Sequence, residues 1–356
     1  MAADNIGVRN IARGRPPAGA RTRRARRAAP RALTPRRPTP RPLTLALQGG
    51  GAHGAFTWGV LDRLLEEPWI EIEGLSGASA GALNAAALAA GWQADGRDGA
   101  RAGLERLWRR VSGLADFGPP LAAAPAFQMM TRMFSPYQLN PLNVNPLRGV
   151  LEDVIDFEAL KEAGAPRLFI SATELKQGRA VVFENEDMCV EVLLASACLP
   201  HLYKAVEIGD AHYWDGGFMA NPTIFPLVFN CEARDVMIVQ IDSMTADDVP
   251  RSARQIDSRR NQIMFNAPLM RELEALGYMG RMAGRRGCGL SAQVKGLNLH
   301  LLDGGAAMRG LDGASKHRAD WSFVSELKEI GRGAAEAWLK AHGAALGERS
   351  TLELPA

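Results

Sequence analysis

The segment GLSGASAG, residues 74–81, places a serine between an apolar strand-like run and an alanine-rich helical run. It contains a GxSxG pentapeptide formed by Gly77, Ser79 and Gly81. Small flanking residues let the backbone turn sharply from strand to helix, which exposes the hydroxyl at the positive end of the helix. The pattern predicts a nucleophile elbow with Ser79 as the nucleophile. A helix start built from small residues for packing alone is the alternative, since the chain has 37 glycines.

A second motif lies upstream, where the strand candidate 43–47 leads into QGGGAHG, residues 48–54. Consecutive glycines expose backbone N–H groups that no side chain shields, and the following helix adds its N-terminal dipole. Such a loop can hold the oxyanion of an acyl-transfer reaction, where one lost donor costs about 3 kcal/mol.

The same glycines allow a nucleotide-binding interpretation. Gly49, Gly51 and Gly54 fit the GxGxxG spacing of a dinucleotide fold, which also requires an acid about 20 residues later. Glu71 and Glu73 are near that position. However, the strand that carries them leads straight into the serine turn, which would occupy the ribose site.

A third motif, HYWDGGFMANP at residues 212–222, supplies a candidate base. Asp215 follows a short aromatic run and precedes two glycines, so its carboxylate projects from a tight turn with little steric cover. An ordinary Asp-Gly turn is the alternative.

Together, the ordered motifs GGGAHG, GASAG and DGG resemble those of the patatin-like phospholipase family. The resemblance spans roughly Leu43 to Leu227 and includes ASACLP at 195–200, which is similar to a further family segment. It implies an α/β fold, a three-layer α/β/α sandwich of the patatin type with a mainly parallel or mixed central sheet and a helical C-terminal portion. The alternation of strand and helix patterns favours the same class.

The resemblance also implies a mechanism. Ser79 attacks an ester carbonyl, Asp215 takes its proton, and the N–H groups of Gly50, Gly51 and Ala52 bind the oxyanion. The product is an acyl-enzyme that water hydrolyses. The implied activity is hydrolysis of carboxylic esters in phospholipids or other acyl lipids, with no cofactor and no metal.

The chain departs from the family pattern in two places. Gln48 stands where the family has an acid, and His53 stands where it has Arg or Lys. A Ser-His-Asp triad is the competing arrangement, and the histidines after the DGG motif are His300, His317 and His342. A structural or surface role is expected for each of these three.

Two other functions use the same residues. A lipid acyltransferase would pass the acyl group to an alcohol, and a non-catalytic lipid-binding module would keep only the cavity. We expect an acyl lipid as substrate, transient contact with a membrane surface and no specific nucleic-acid partner. The absence of an apolar run near 18 residues, of a secretory signal and of cysteine pairs predicts a cytoplasmic location, with peripheral membrane contact.

Composition divides the chain into three parts. Residues 1–42 hold twelve arginines and one acid, which predicts a disordered arm that binds anionic lipid or nucleic acid, or a passive tail. Residues 43–245 form the predicted catalytic domain, and residues 246–356 form a mainly helical extension packed on it. Within residues 114–145, a pliable apolar wall for an acyl chain is predicted from a group of Met and Phe side chains. They are Phe127, Met129, Met130, Met133 and Phe134.

Overall fold

The strands at residues 41–47 and 235–240 are almost completely buried, which explains their mainly apolar sequences. The computed structural model describes residues 39–115, 133–246, 248–286, 294–311 and 313–354. Within these ranges the strands are β1 (Arg41–Leu47), β2 (Ile70–Gly77), β3 (Arg167–Glu174), β4 (Arg179–Phe183), β5 (Val206–Ile208), β6 (Ala211–Asp215), β7 (Asp235–Gln240) and β8 (Asn298–Asp303). They form one 8-stranded sheet.

The helices connect the strands and flank the sheet. They are α1 (Gly54–Leu64), α2 (Ala80–Ala115), α3 (Pro136–Leu139), α4 (Leu147–Val154), α5 (Val190–Ser196), α6 (Phe225–Asn230), α7 (Ala253–Arg286), α8 (Gly305–Arg309) and α9 (Trp321–His342). The long α2 is interrupted by non-helical backbone at Asp95 and Gly96, so it comprises two helical segments.

The sheet is mixed, with strand order β5-β6-β3-β2-β1-β7-β8 and β4 paired separately to β3. Strands β3, β2, β1, β7 and β8 are parallel, whereas β4, β5 and β6 form antiparallel pairs. β1 lies between β2 and β7. The chain runs from β1 to β2 on one side and from β7 to β8 on the other, so the strand order changes direction between β1 and β7. Ligands bind at such switch points in open α/β sheets.

Alternate side chains of the central strands enter two separate cores. Leu45 of β1 and Val239 of β7 belong to a core shared with α1, α2 and α9. Ala46 and Ile238 point the other way, into a core shared with α6 and α7. The sheet is therefore covered on both faces, which confirms the predicted α/β class with flanking helices of the patatin type.

Most predicted elements agree with the structure in type. β1 begins at Arg41, two residues before the predicted strand, and α7 and α9 lie within the extension predicted to be mainly helical. The C-terminal part also contributes β8, which pairs in parallel with β7. Residues 39–356 cluster as one unit, Thr39–Ala356. The three-part division at residues 42 and 245 stays a prediction, and most of the predicted arm lies outside the described residues.

Candidate active site

Ser79 occupies a tight turn between β2 and α2. Its φ of 52° lies in the left-handed region, which few residues other than glycine adopt. The backbone N–H of Ser79 donates to the carbonyl of Ser196 (3.1 Å) and to its hydroxyl (3.0 Å). These bonds from α5 hold Ser79 in a conformation that costs about 1–3 kcal/mol in isolation.

Gly77 and Gly81 let this turn pack closely. A Cβ at Gly77 would lie 2.6 Å from the carbonyl carbon of Gly81, and a Cβ at Gly81 would overlap the carbonyl oxygen of Leu47. Because Leu47 ends β1, the serine turn packs directly against the start of the glycine loop. The structure thus gives both glycines the tight backbone packing expected of a nucleophile elbow.

Asp215 reaches the serine turn through the pairing of β3. Ala172 of β3 pairs with Asp215 on one side and with β4 on the other, while Ile170 pairs with Gly77 and with β4. β2 and β6 therefore share one edge of β3, and β6 continues where β2 ends. This arrangement places Asp215 just beyond Gly77, although the two are far apart in sequence.

The Asp215 carboxylate is buried and is within hydrogen-bonding reach of the Ser79 hydroxyl. It also accepts a hydrogen bond of 2.7 Å from the backbone N–H of Gly217. Burial raises the pKa of Asp215 to about 6, although the two hydrogen bonds act in the opposite direction. A carboxylate with this pKa is ionised near neutral pH and is basic enough to accept a proton.

The ASACLP segment holds both of these residues in place. Ser196 accepts the N–H of Ser79, as described above, and the carbonyl of Cys198 accepts the N–H of Asp215 at 2.9 Å. The hydroxyl of Thr173 donates to the carbonyl of Asp215 at 2.8 Å. The separation between Ser79 and Asp215 is thus fixed by backbone contacts on both sides.

The glycine loop runs past the serine turn. The N–H of Gly49 donates to Asn221 Oδ1 at 2.8 Å, which anchors the start of the loop. Within the described residues, the N–H groups of Gly50 and Gly51 have no hydrogen-bond acceptor. Gly51 adopts a φ of 58°, and a Cβ there would lie 2.5 Å from the carbonyl oxygen of Lys316. The loop therefore presents free donors in a conformation that only glycine fits.

Gln48 is the centre of a buried amide network beneath this loop. Its Oε1 accepts the N–H groups of Ile241 and Asp242, both at 2.7 Å. Its Nε2 donates to Asn266 Oδ1 at 2.8 Å. Gln48 uses its donor and its acceptor together, which an ionised acid at this position would not do. The departure from the family pattern is thus matched by Asn266 on α7.

His53 likewise has a partner that lies far away in sequence. Its Nε2 lies 2.7 Å from the hydroxyl of Ser315. Burial, with the nearby charge of Lys316, lowers the pKa of His53 to about 4, so the ring is neutral at pH 7. Lys316 Nζ donates to Asp242 Oδ2 at 2.6 Å and lines the same cavity. The ammonium group of Lys316 thus lies near the glycine loop, in which neutral His53 occupies the position where the family has Arg or Lys.

Ser79, Asp215 and the glycine loop open into one cavity of about 1340 Å³. This exceeds the volume of pockets for small ligands, roughly 300–1,000 Å³. Apolar side chains from several elements form its walls, among them Leu199, Leu202, Trp214, Phe218, Ile241 and Phe265. The predicted wall differs: Met133 and Phe134 are exposed and do not line the cavity, while Phe127, Met129 and Met130 lie outside the described residues.

The three histidines of the competing triad lie in different surroundings. His300 is fully buried and uses both ring nitrogens, with Asp235 and Thr351. His342 is exposed at the end of α9. His317 lines the cavity, and burial lowers its pKa, yet within the described residues it makes no hydrogen bond to Ser79.

Sequence analysis missed the three residues that support the glycine loop from the C-terminal part: Asn266, Ser315 and Lys316. Asn266 lies 218 positions after its partner Gln48, and Ser315 lies 262 positions after its partner His53. Lys316, which abuts Gly51, is similarly distant in sequence. No local sequence pattern extends this far. The only signal was indirect, since the unusual residues at 48 and 53 required new partners.

In the part of the chain that the structure describes, no helix combines the length and the apolar character needed to cross a membrane. Among the same residues, no group of three or more His, Cys, Asp or Glu side chains is arranged to hold a metal ion.

Comparison with known proteins supplies the family. The family model for patatin-like phospholipases matches residues 45–228, which is more than half of the chain. The chain belongs to the patatin-like phospholipase family. Family membership implies hydrolase activity on lipids.

A similar solved structure is the crystal structure of VipD from Legionella pneumophila, at 15% identity and a TM-score of 0.38. The match covers 84% of this chain and 67% of that one. A search of curated protein sequences gives no match.

Proposed function

We propose that this patatin-like phospholipase cleaves carboxylic ester bonds of acyl lipids through a Ser79–Asp215 dyad. The observation that carries the proposal is the contact of the Ser79 hydroxyl with a buried carboxylate in a cavity that also contains the glycine loop. Nucleophile, base and free N–H donors are the three parts that acyl transfer requires.

In the first half-reaction the Ser79 oxygen attacks the ester carbonyl carbon, and its proton passes to Asp215. The carbonyl oxygen becomes an oxyanion that the N–H groups of Gly50, Gly51 and Ala52 stabilise. The intermediate then expels the alcohol, which takes the proton back from Asp215. The acyl group remains on Ser79 as an ester.

In the second half-reaction Asp215 accepts a proton from water as the water oxygen attacks this ester. The Ser79 oxygen leaves and recovers the proton, which releases the fatty acid. Asp215 thus serves as base, acid, base and acid in turn, and its raised pKa brings it close to the operating pH for each role. An alcohol in place of water would make the same site an acyltransferase.

The cavity supports a lipid as the acyl donor. Its volume accommodates an acyl chain, and its walls are largely apolar. We place the protein in the cytoplasm with transient contact to a membrane surface, where such substrates reside.

Active-site labelling tests the dyad directly. A fluorophosphonate probe is expected to label the protein once, at Ser79, and Ser79→Ala is expected to remove both the label and hydrolysis of a soluble short-chain ester. Ser258→Ala is the matched control because Ser258 lines the same cavity on α7. Labelling of Ser79→Ala at the wild-type level, or loss of labelling in Ser258→Ala alone, would contradict the proposal.

Product analysis distinguishes hydrolysis from transfer. Free fatty acid is the expected main product when the enzyme is given a phospholipid and a glycerolipid alcohol together. A new ester as the main product would assign the same site to an acyltransferase.

A further inference from the structure

Large apolar side chains are exposed on two segments next to the active-site cavity. One segment is residues 137–144, where the exposed fraction of Leu142 is 85%. The other is the first half of α7, where the exposed fraction of Ile263 is 55%. We call these side chains the rim patch. It comprises Tyr137, Leu139, Leu142, Val144, Ile256 and Ile263.

The first segment contacts the loop that forms one wall of the cavity. Lys204 Nζ donates to the carbonyl of Pro141 at 2.8 Å and lies 5.6 Å from the centre of the Tyr137 ring. Lys204 follows Leu199 and Leu202, which line the cavity. Residues 137–142 therefore lie beside the loop that forms this wall of the cavity.

The first half of α7 forms another wall. Phe265 lines the cavity and packs on Phe218, with the two ring centres 5.5 Å apart. Phe218 lies three residues after Asp215 in sequence. Arg260 and Met264 on the same helix also line the cavity. Ile256 and Ile263 are exposed on the same stretch of helix. One segment of the rim patch thus belongs to a wall of the cavity that leads to Ser79, and the other contacts the loop of a second wall.

The charge of α7 indicates what kind of surface fits the rim patch. Its sequence contains seven arginines and three acids. One of the acids, Glu272, points inward and accepts the N–H groups of Ile224 and Phe225, at 2.6 and 3.0 Å. Residues 251–264, which include Ile256 and Ile263, hold four arginines and one acid, Asp257, which pairs with Arg260 at 3.3 Å. This stretch therefore combines exposed apolar side chains with a net positive charge, which is the combination that binds an anionic lipid surface.

We propose that the rim patch inserts into an anionic lipid surface and brings the cavity mouth into contact with it. The proposal rests on the proposed function, because a lipid acyl group must leave its bilayer to reach Ser79. Each large apolar side chain that leaves water improves partitioning by roughly tenfold. Two separated segments bind together because the cavity walls hold them at a fixed spacing.

Vesicle flotation in a Ser79→Ala background tests binding without hydrolysis. The vesicles are phosphatidylcholine with or without an equal share of phosphatidylglycerol. Ile256→Ser/Ile263→Ser and Leu142→Ser/Val144→Ser are each expected to weaken binding to the anionic vesicles by about tenfold or more. Pure phosphatidylcholine is expected to bind the parent more weakly, by about tenfold or more.

The matched control is Tyr278→Ser/Met282→Ser. These side chains are also exposed on α7, with Met282 at 74%, but lie about 20 to 40 Å from Ile256 and Ile263 along the helix. The control is expected to bind within about twofold of the parent. An equal loss in the control, or unchanged binding in both rim-patch variants, would overturn the proposal.

Two readouts separate this proposal from the proposed function. In the active background the rim-patch variants are expected to hydrolyse a soluble short-chain ester at the parent rate while losing hydrolysis of vesicle lipid. Vesicle binding with the expected pattern but no labelling of Ser79 would refute the dyad and leave the surface intact. Dissociation of an oligomer by the variants, with unchanged vesicle binding, would assign the patch to contacts between copies and refute lipid insertion.

Discussion

Asp215 and Asp235 are both buried carboxylates, and they lie at opposite ends of the parallel strands. Asp215 meets Ser79 beyond the carboxyl end of β2, whereas Asp235 begins β7. Asp235 accepts hydrogen bonds from His300 Nε2 and from the N–H of Gly347, both at 2.8 Å.

The second site has the connectivity of a catalytic triad, because the other nitrogen of His300 lies 3.0 Å from the Thr351 hydroxyl. It differs in access. His300 is fully buried and packs edge-on against Trp338, and neither His300 nor Asp235 lines the cavity that contains Ser79. The acid-histidine-hydroxyl series therefore fastens the C-terminal segment to the sheet. Chemical function depends on an open cavity and free donors as much as on the linked side chains.

Asp215→Asn gives the sharpest test of this comparison. We expect kcat to fall about 10⁴-fold on a soluble ester, because the amide cannot accept the Ser79 proton. Asp235→Asn is the control, and its activity per folded molecule is expected to stay within about twofold of the parent. An equal loss of kcat in Asp215→Asn and Asp235→Asn would contradict the assignment of a catalytic role to Asp215 and a structural role to Asp235.

His300→Ala tests the structural end. We expect the free energy of unfolding to fall by roughly 3 kcal/mol, because the change leaves a cavity and removes the partner of a buried carboxylate. Thermal and urea denaturation measure this loss. His342→Ala, at an exposed position of α9, is expected to cost less than about 0.5 kcal/mol. Loss of ester hydrolysis by folded His300→Ala would instead support a histidine-dependent mechanism.

A pair of glycines with positive φ extends the comparison. Gly51→Ala is expected to lower kcat about 10²-fold, because its Cβ would displace the Lys316 carbonyl and move the free N–H donors. Gly347→Ala, with a φ of 75° at the other end, meets the flexible end of Arg41. It is expected to cost stability and leave kcat unchanged. Steady-state kinetics with denaturation curves check both, and an equal kcat in the two would exclude the loop as the oxyanion site.

Acid pH is expected to change activity and stability in opposite directions at Asp215. Its pKa is about 6 in the folded chain against 3.8 for the ordinary group. Between these values the folded chain holds a proton that the unfolded chain has lost, so stability falls as the pH rises from 4 to 6 and stays lower above it. By contrast, kcat/KM is expected to rise through pH 6, because only ionised Asp215 accepts a proton.

Asp215→Asn removes this titration. The shift of about two units in the pKa of Asp215 corresponds to a loss of about 3 kcal/mol in the free energy of unfolding at high pH. Burying the amide of Asn in its place costs about 1 kcal/mol. The variant is therefore expected to be about 2 kcal/mol more stable than the parent at pH 8, and slightly less stable than the parent at pH 4 and below, where only the cost of the amide remains. Urea denaturation at the two pH values measures it. A constant difference across this range would show that Asp215 does not titrate as described.

Local patterns predicted much of the fold and the elbow. Small residues around Ser79 and the apolar run of β1 act through neighbours in sequence, so their structure can be inferred from the chain alone. The position of Asp215 followed from motif order through the family resemblance. The pairing of β6 with β3 supplies its physical reason.

Other parts of the site depend on contacts that no local pattern encodes. The cavity wall formed by Phe218 and Phe265 arises only when α7 crosses the end of the sheet. The predicted wall relied on a dense group of Met and Phe side chains, of which Met133 and Phe134 are exposed. A dense group of apolar residues in the sequence does not show which part of the folded protein those side chains contact.

The amide network beneath the glycine loop has a consequence for chimeras between relatives. The family model ends at residue 228, but the loop is supported by Asn266 and abuts Lys316. Exchanging the C-terminal third for that of a relative with an acid at position 48 would therefore combine two mismatched halves of one polar network. Activity in such hybrids should return only when position 48 and its α7 partner are transplanted together.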